Sequence, residues 1–291
     1  MLNLPSRRTF LKSLTLATAA TLGSIEQIFS AIPKSALQGG FAVGPQSWTF
    51  RVFDVLTAID KAAQAGAKAI ELFPGQALSA SDPKAKFGHD STDDQVKLVK
   101  NHLASKGIQP VAYGVVGLSK DEKSSRKVFE FCKTMGIGII NSEPPAEALD
   151  TIEKLVREYD IKVGFHNHPK SEKNPNYLHW NPEWVLSVVK DRDPRIGACA
   201  DTGHWLTSGL DPVAAIQRLG KRVVSAHLKD RANFAPPDVP FGTGTGKVKE
   251  VLDELVRLGF DGSLSIEYET KWDNNVDDVK QCVDFIRAYK A

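Results

Sequence analysis

The chain reads as a single α/β domain, a closed (β/α)8 TIM barrel, on three observations. Short β-branched or apolar runs alternate eight times with longer segments of helical period. Glycine and proline mark the boundaries between them. Residues 37–291 also match the usual length of such a barrel, about 250 residues, and are enough for one large core.

Taken in order, the predicted strands are Phe41–Trp48, Lys68–Phe73, Gln109–Val115, Gly138–Ser142, Lys162–His166, Arg195–Asp201, Val223–His227 and Ser263–Glu267. The helical segments between and after them are Val52–Ala65, Asp93–Ser105, Ser125–Met135, Ala146–Tyr159, Pro182–Val189, Pro212–Leu219, Val248–Leu258 and Val276–Ala288. Ala65-Gly66, Lys106-Gly107, Met135-Gly136 and Leu258-Gly259 each put a glycine where a helix must stop and turn back. Asn181-Pro182 and Asp211-Pro212 put a capping side chain before a proline at the first helical position. An open doubly wound sheet would carry a glycine-rich phosphate turn after its first strand, and Gly44-Pro45-Gln46-Ser47-Trp48 is not one. Two connections, Pro74–Ser91 and Lys229–Lys247, exceed what a barrel needs and lie on the face where strands end, where long loops shape pockets. The second holds Pro236-Pro237 and the run Gly242-Thr243-Gly244-Thr245-Gly246, a stiff and a pliable segment. That run lacks the Lys-Ser/Thr of a nucleotide loop, so a phosphate cradle is weakly supported.

Near the N-terminus Ser6-Arg7-Arg8-Thr9-Phe10-Leu11-Lys12 runs into a weakly apolar stretch, Ser13 to Leu22, and the pair resembles a twin-arginine export signal. Residues 1–36 are expected to be a removable signal and 37–291 the barrel, with cleavage after Ala31, after Ala36 or nearby. The apolar run falls well short of the roughly 20 residues of a spanning helix, so no stable membrane span is expected after processing. The resemblance implies export and a periplasmic location. With Lys+Arg 37 against Asp+Glu 35 the chain is nearly neutral, which argues against a nucleic-acid partner. Cys132, Cys199 and Cys282 are far apart, with no Cys-x-x-Cys, so they read as buried apolar residues, though a pair could oxidise in an envelope compartment.

A barrel gathers its strand ends into one ring, so residues distant in sequence become neighbours. Glu143 ends strand four, Asp201 strand six, His227 strand seven and Glu267 strand eight. Each would sit in a water-poor pocket where an unpaired charge is costly. Any one alone reads equally well as a salt-bridged carboxylate or structural imidazole; together, three carboxylates and one imidazole form a mixed oxygen and nitrogen set suited to one divalent ion. Mn²⁺ fits first, with Co²⁺, Zn²⁺, Mg²⁺ or Fe²⁺ acceptable. His166 and His168 stand two apart on strand five and point the same way; each reads as acid, base, substrate partner or structural imidazole. Lys229, two beyond His227, is placed to reach a substrate oxygen or to be a plain surface cation. His204 either binds substrate or orients Asp201. Glu71 and Gln46 complete the polar rim, and Trp48 and Trp205 are the aromatic faces expected against a substrate.

These motifs identify the region from Phe41 to the C-terminus as resembling the xylose-isomerase-like barrel superfamily of sugar phosphate isomerases and epimerases, including inosose dehydratase. The signatures are Asp201-Thr202-Gly203-His204, His227-Leu228-Lys229-Asp230, Val239-Pro240-Phe241-Gly242-Thr243-Gly244 and Leu264-Ser265-Ile266-Glu267-Tyr268-Glu269. By position the resemblance implies Glu143, Asp201, His227 and Glu267 as metal ligands. It departs from the ketose 3-epimerases, which take their first glutamate from strand five, where this chain has His166-Asn167-His168. The implied activity is isomerisation or epimerisation of an unphosphorylated sugar, keto-sugar or cyclitol through a metal-stabilised enediolate. Glu143, Glu267 or His166 would be the base. Lyase or dehydratase chemistry, or a carbohydrate-binding barrel without turnover, are the alternatives. No arginine cluster grips a phosphate in the strand-end motifs.

Overall fold

In the computed structural model, which describes residues 32–290, eight strands form one parallel ring. They are β1 (Phe41–Pro45), β2 (Ala69–Leu72), β3 (Gln109–Tyr113), β4 (Ile139–Ser142), β5 (Lys162–Phe165), β6 (Ile196–Asp201), β7 (Val223–Leu228) and β8 (Ser263–Ile266). From β2 round to β8 each strand pairs in parallel with the next, and β8 pairs with β1. The ring closes between β1 and β2 through one parallel bridge, Gln46 to Glu71. Gly44 permits that closure, because a Cβ there would lie 1.7 Å from the Ala69 carbonyl oxygen.

Among the described residues eight helices of two turns or more surround the ring: α1 (Val55–Gln64), α2 (Asp93–Lys106), α3 (Glu122–Met135), α4 (Leu149–Tyr159), α5 (Pro182–Val189), α6 (Pro212–Leu219), α7 (Val248–Leu258) and α8 (Val276–Ala288). Each buries one apolar stripe; in α4 it is Leu149, Ile152, Leu155 and Val156. Their starts are fixed by side chains that accept otherwise unpaired backbone N–H groups: Asp54 for α1, Asp121 for α3, Asn181 for α5 and Asp211 for α6. Thr92 and Gln95 form a reciprocal capping box at α2. Gly107 and Gly136 end α2 and α3 with φ of +65° and +77°, the left-handed turn their placement predicts.

The two-residue period of the strands sorts chemistry by face. On β7, Ala226 and Leu228 belong to the apolar core, while Ser225 and His227 alternate with them and meet Asn141, Glu71 and Glu267. Polar groups therefore line the ring's interior near its C-terminal end, and aliphatic ones face the helices.

Some elements depart from expectation. β1 stops at Pro45 because the Gln46 side chain accepts the Trp48 N–H and caps a tight turn, Ser47–Phe50. Both long connections contain hairpins, Gln76–Ser79 with Asp82–Phe87 and Asp230–Asn233 with Ala235–Val239. The glycine-rich run does cradle an anion, but the anion is internal: Gly242, Gly244 and Gly246 donate their N–H groups to the Asp230 carboxylate at 2.9, 3.0 and 2.7 Å. Before β1, Lys34–Ala36 forms a turn and Leu37–Gln38 pairs antiparallel with β1. Ala36 packs on Ala69 and Val111, and the Gln38 amide bonds Gly66 O and Lys68 N–H at 3.0 and 3.1 Å. The twin-arginine segment lies outside the described residues. Cys132, Cys199 and Cys282 are buried and unbridged, and among the described residues no helix is long and apolar enough to cross a membrane.

Gly44→Ala is expected to destabilise the fold by more than about 4 kcal/mol, since backbone and not a flexible side chain blocks the new methyl. Gly117→Ala, with open space at its Cβ, is expected to stay within about 0.5 kcal/mol of the parent. Urea unfolding measures both; a stable Gly44→Ala protein would refute the closure argument.

Candidate functional site

Four consecutive strands deliver one donor each to the same point. Asp201 ends β6, His227 lies near the end of β7, and His166 and Glu267 follow β5 and β8 directly. One donor atom from each of His166, Asp201, His227 and Glu267 lies within 4.8 Å of the others, and all four residues are buried. His166 Nε2 lies 3.5 Å from Asp201 Oδ2, and it has no hydrogen-bond partner. A buried nitrogen without a partner is costly, and here it faces carboxylates. The set of two imidazoles and two carboxylates therefore fits a divalent ion of the Mn²⁺, Fe²⁺, Co²⁺ or Zn²⁺ kind.

The set differs at one position from the ligands implied by the motifs. Asp201, His227 and Glu267 converge as expected, while Glu143 stands one step away, on the far side of His166. Its Oε1 meets His166 Nδ1 at 2.9 Å, His168 Nδ1 at 2.5 Å and the Tyr177 hydroxyl at 2.9 Å. The reason is depth: the His166 side chain is 2% exposed and that of Glu143 20%. Glu143 sits at the rim where Pro144-Pro145 turns the chain away, and His166 fills the space inside it.

The ring nitrogens of His227 are divided between two carboxylates. Nε2 meets Glu71 Oε2 at 3.0 Å and Nδ1 meets Glu267 Oε2 at 3.0 Å. Glu71 is itself fixed by Asn141 Nδ2 at 2.9 Å and by the Ser265 hydroxyl. This is how an outer carboxylate orients an imidazole so that its other nitrogen can serve a metal. Glu71 is thus buried beneath the centre and not at the rim, and Gln46 is also buried, its amide donating to Gly114 O at 2.8 Å.

Lys229 is fully buried and reaches the centre from β7's far end. Its ammonium lies 2.7 Å from both Asp201 Oδ2 and Glu267 Oε2, 3.3 Å from Glu269 Oε2 and 3.2 Å from His204 Nε2. Burial works against every charge here, and the pairing overcomes it. Lys229 is raised above its ordinary value by Asp201, Glu267 and Glu269. Asp201 is held well below the carboxylate range by His204, Lys229 and His166, and Glu267 by Lys229 and His227. Burial likewise opposes ionised Glu143, but bonds from His166 and His168 hold it low. His204 is pushed down by burial and by Lys229, so it stays neutral and accepts from the ammonium.

His168 is exposed at the mouth, and Trp48 is half-buried there with Nε1 donating to Glu269 Oε1 at 3.3 Å. Trp205 is instead 2% exposed in the core. β6 passes at once into a short helix, Thr202–Thr207, whose N-terminus Asp201 caps by accepting the His204 N–H at 2.8 Å, and this turn carries the indole inward. Sequence reasoning missed Asn141, Tyr177, Arg231 and Glu269. Glu269 and Arg231 continue the two-residue alternation of 267 and of 227 and 229, a signal that was legible. Asn141 was a polar position inside an apolar strand, while Tyr177 lies in an irregular loop without period. Arg231 is buried, with Asp238 at 3.4 Å.

A family model described as a xylose isomerase-like TIM barrel matches residues 59–289. An uncharacterized protein of Parabacteroides distasonis has a solved structure with 34% identity and a TM-score of 0.69, covering 85% of this chain and 98% of that one. A D-tagatose 3-epimerase-like protein superposes with a TM-score of 0.64 at 20% identity, over 84% of this chain and 96% of the other, a likeness of fold. The inosose dehydratase of Clostridium tetani is 29% identical over 86 residues, which is 29% of this chain and 27% of that enzyme. The chain spans less than half the length of the curated relatives it matches.

Burial alone would lower the His166 imidazole, but Asp201 and Glu143 outweigh it and raise it to about 9. A histidine raised above its ordinary ~6.5 stabilises the fold fully below that value, and the contribution fades as pH climbs through the raised one. In protein freed of divalent ions by a chelator, His166→Gln is expected to cost about 3 kcal/mol at pH 6 and about 1 or less at pH 10. Urea unfolding at the two pH values measures this; a cost independent of pH would contradict the pairing.

Proposed function

The chain belongs to the xylose isomerase-like TIM barrel family, and from that premise we propose a divalent-metal-dependent isomerase or epimerase of an unphosphorylated sugar, keto-sugar or cyclitol. One observation carries the reading: four buried donors from four neighbouring strands meet at one point, and His166 Nε2 among them has nothing closer than Asp201 Oδ2 at 3.5 Å, beyond a good hydrogen bond. His166, Asp201, His227 and Glu267 would hold the ion, with Mn²⁺ the first choice for this set. When bound, it supplies Lewis-acid polarisation of a substrate carbonyl, which acidifies the neighbouring C–H.

The chain's own residues do the rest. Glu71 fixes His227 through Nε2 and Glu143 fixes His166 through Nδ1, so each imidazole presents its other nitrogen. Glu143 also engages His168 Nδ1, which leaves His168 Nε2 as the atom that takes the carbon-bound proton at the mouth and, as the imidazolium, gives a proton back to carbon to complete the isomerisation. Tyr177, bonded to both Glu143 and the His168 backbone N–H, holds that pair in place. Trp48 offers a flat apolar face to the sugar's C–H groups. Dehydration begins with the same proton removal, and the stretch shared with inosose dehydratase favours it as the second reading; product analysis separates loss of water from isomerisation.

Metal-stripped protein given Mn²⁺ and candidate keto-sugars in deuterated water is expected to lose one carbon-bound proton signal. His168→Asn should slow this about 100-fold with Mn²⁺ affinity intact, and Glu267→Gln should weaken Mn²⁺ binding at least about tenfold. Tight sugar binding with no exchange on any candidate would turn the reading to a carbohydrate-binding barrel.

Export through the twin-arginine pathway to the periplasm completes the reading, resting on Arg7-Arg8 and the apolar stretch after them. Cleavage near Ala31 is favoured over Ala36, since Ala36 is packed against Ala69 and Val111. Replacing Arg7 and Arg8 by Lys is expected to retain the precursor in the cytoplasm on fractionation, and the wild-type mature N-terminus should begin near residue 32. Unchanged export would refute the assignment.

A further inference from the structure

Lys229 stands where a metal cation would be expected to stand. Its ammonium takes Asp201 Oδ2 and Glu267 Oε2 at 2.7 Å each, and those oxygens belong to two of the four converging donors. The position is built into the fold. The lysine stem runs against Gly203, where a Cβ would come within 2.5 Å of Lys229 Cβ and 2.7 Å of its Cδ. The glycine of Asp201-Thr202-Gly203-His204 is thus cut to the lysine two strand positions beyond His227. An ammonium and a divalent ion cannot share one pair of carboxylate oxygens, because like charges so close in a water-poor site repel strongly.

A second seat for the ammonium lies within reach. Glu269 Oε2 is 3.3 Å from Lys229 Nζ, and the Glu269 side chain is 25% exposed, on the mouth side of the centre. It is held there by Trp48 Nε1 and by its own N–H to Asp238 Oδ2. Glu269 Oε2 also faces the buried Arg231 guanidinium, at 3.9 Å.

We propose that Lys229 and a divalent ion occupy the Asp201–Glu267 oxygen pair in turn, and that ion entry moves the ammonium to Glu269 at the barrel mouth. Lys229 thereby sets the affinity of the centre: it neutralises the carboxylates while no ion is bound and competes with ions that enter. This rests on the reading that a divalent ion is held here, and it adds the residue that regulates loading.

The test is Mn²⁺ binding to the whole mature protein, read by electron paramagnetic resonance of free Mn²⁺ and by calorimetry, for wild type, Lys229→Met and Glu269→Gln. Lys229→Met is expected to bind Mn²⁺ about tenfold or more tighter, because the competitor is gone. Glu269→Gln keeps the lysine and removes its second seat, so it should bind several-fold weaker. If Lys229→Met fails to fold without metal, Glu269→Gln still reads the exchange from the other side. Equal affinities for all the proteins obtained, or weaker binding by Lys229→Met, overturn the exchange while leaving the metal centre standing. No Mn²⁺ binding by any of them overturns both.

Discussion

Charges buried in a barrel mouth persist only when each is opposed, and this constraint organises the site. Asp201 and Glu267 stay ionised away from water because Lys229 bridges them and because His166 and His227 stand beside them. Removing one partner would leave a buried charge uncompensated, a cost of several kcal/mol in comparable settings. The same property that makes the site stable as a salt-bridge network makes it suitable as a metal centre.

The barrel supplies the positions. Parallel pairing brings Asp201 level with His227, and His227 level with Ser265, so neighbouring strands present their polar residues at one height. The two-residue period then stacks depth: Ser225 lies below His227, and Lys229 and Arg231 continue the row. Two glycines keep the geometry tight, Gly44 where the ring closes and Gly203 where the lysine stem passes. Outside the ring, the Asp230 carboxylate gathers the glycine-rich loop through three backbone N–H groups and so anchors the segment that follows the hairpin.

Much of this was legible from residues alone. Eight βα repeats, their capping residues and the strand-end placement of Asp201, His227 and Glu267 follow from period and punctuation. What sequence spacing does not carry is height along the barrel axis. Glu143 and His166 both come one residue after strands whose ends are level, Ser142 opposite Phe165, yet His166 lies inside and Glu143 at the rim, where the chain turns away at Pro144-Pro145. Lys229 likewise has the pattern of a strand-end cation; its stem passes Gly203, and Asp201 and Glu267 hold its ammonium in the centre. Trp205 lies in the core and not against the pocket because the chain turns into a helix immediately after Asp201, a turn that Asp201 itself caps. The glycine-rich run, which lacks the Lys-Ser/Thr of a nucleotide loop, does cradle an anion, and that anion is the chain's own Asp230.

The proposed centre is a single divalent ion held by His166, Asp201, His227 and Glu267. X-ray absorption at the manganese edge of Mn²⁺-loaded protein tests it most directly. One class of ion is expected, with two imidazole nitrogens and carboxylate oxygens in its coordination shell, and with one imidazole lost in His166→Gln. A shell made of oxygen alone, or one unchanged by that substitution, would contradict it.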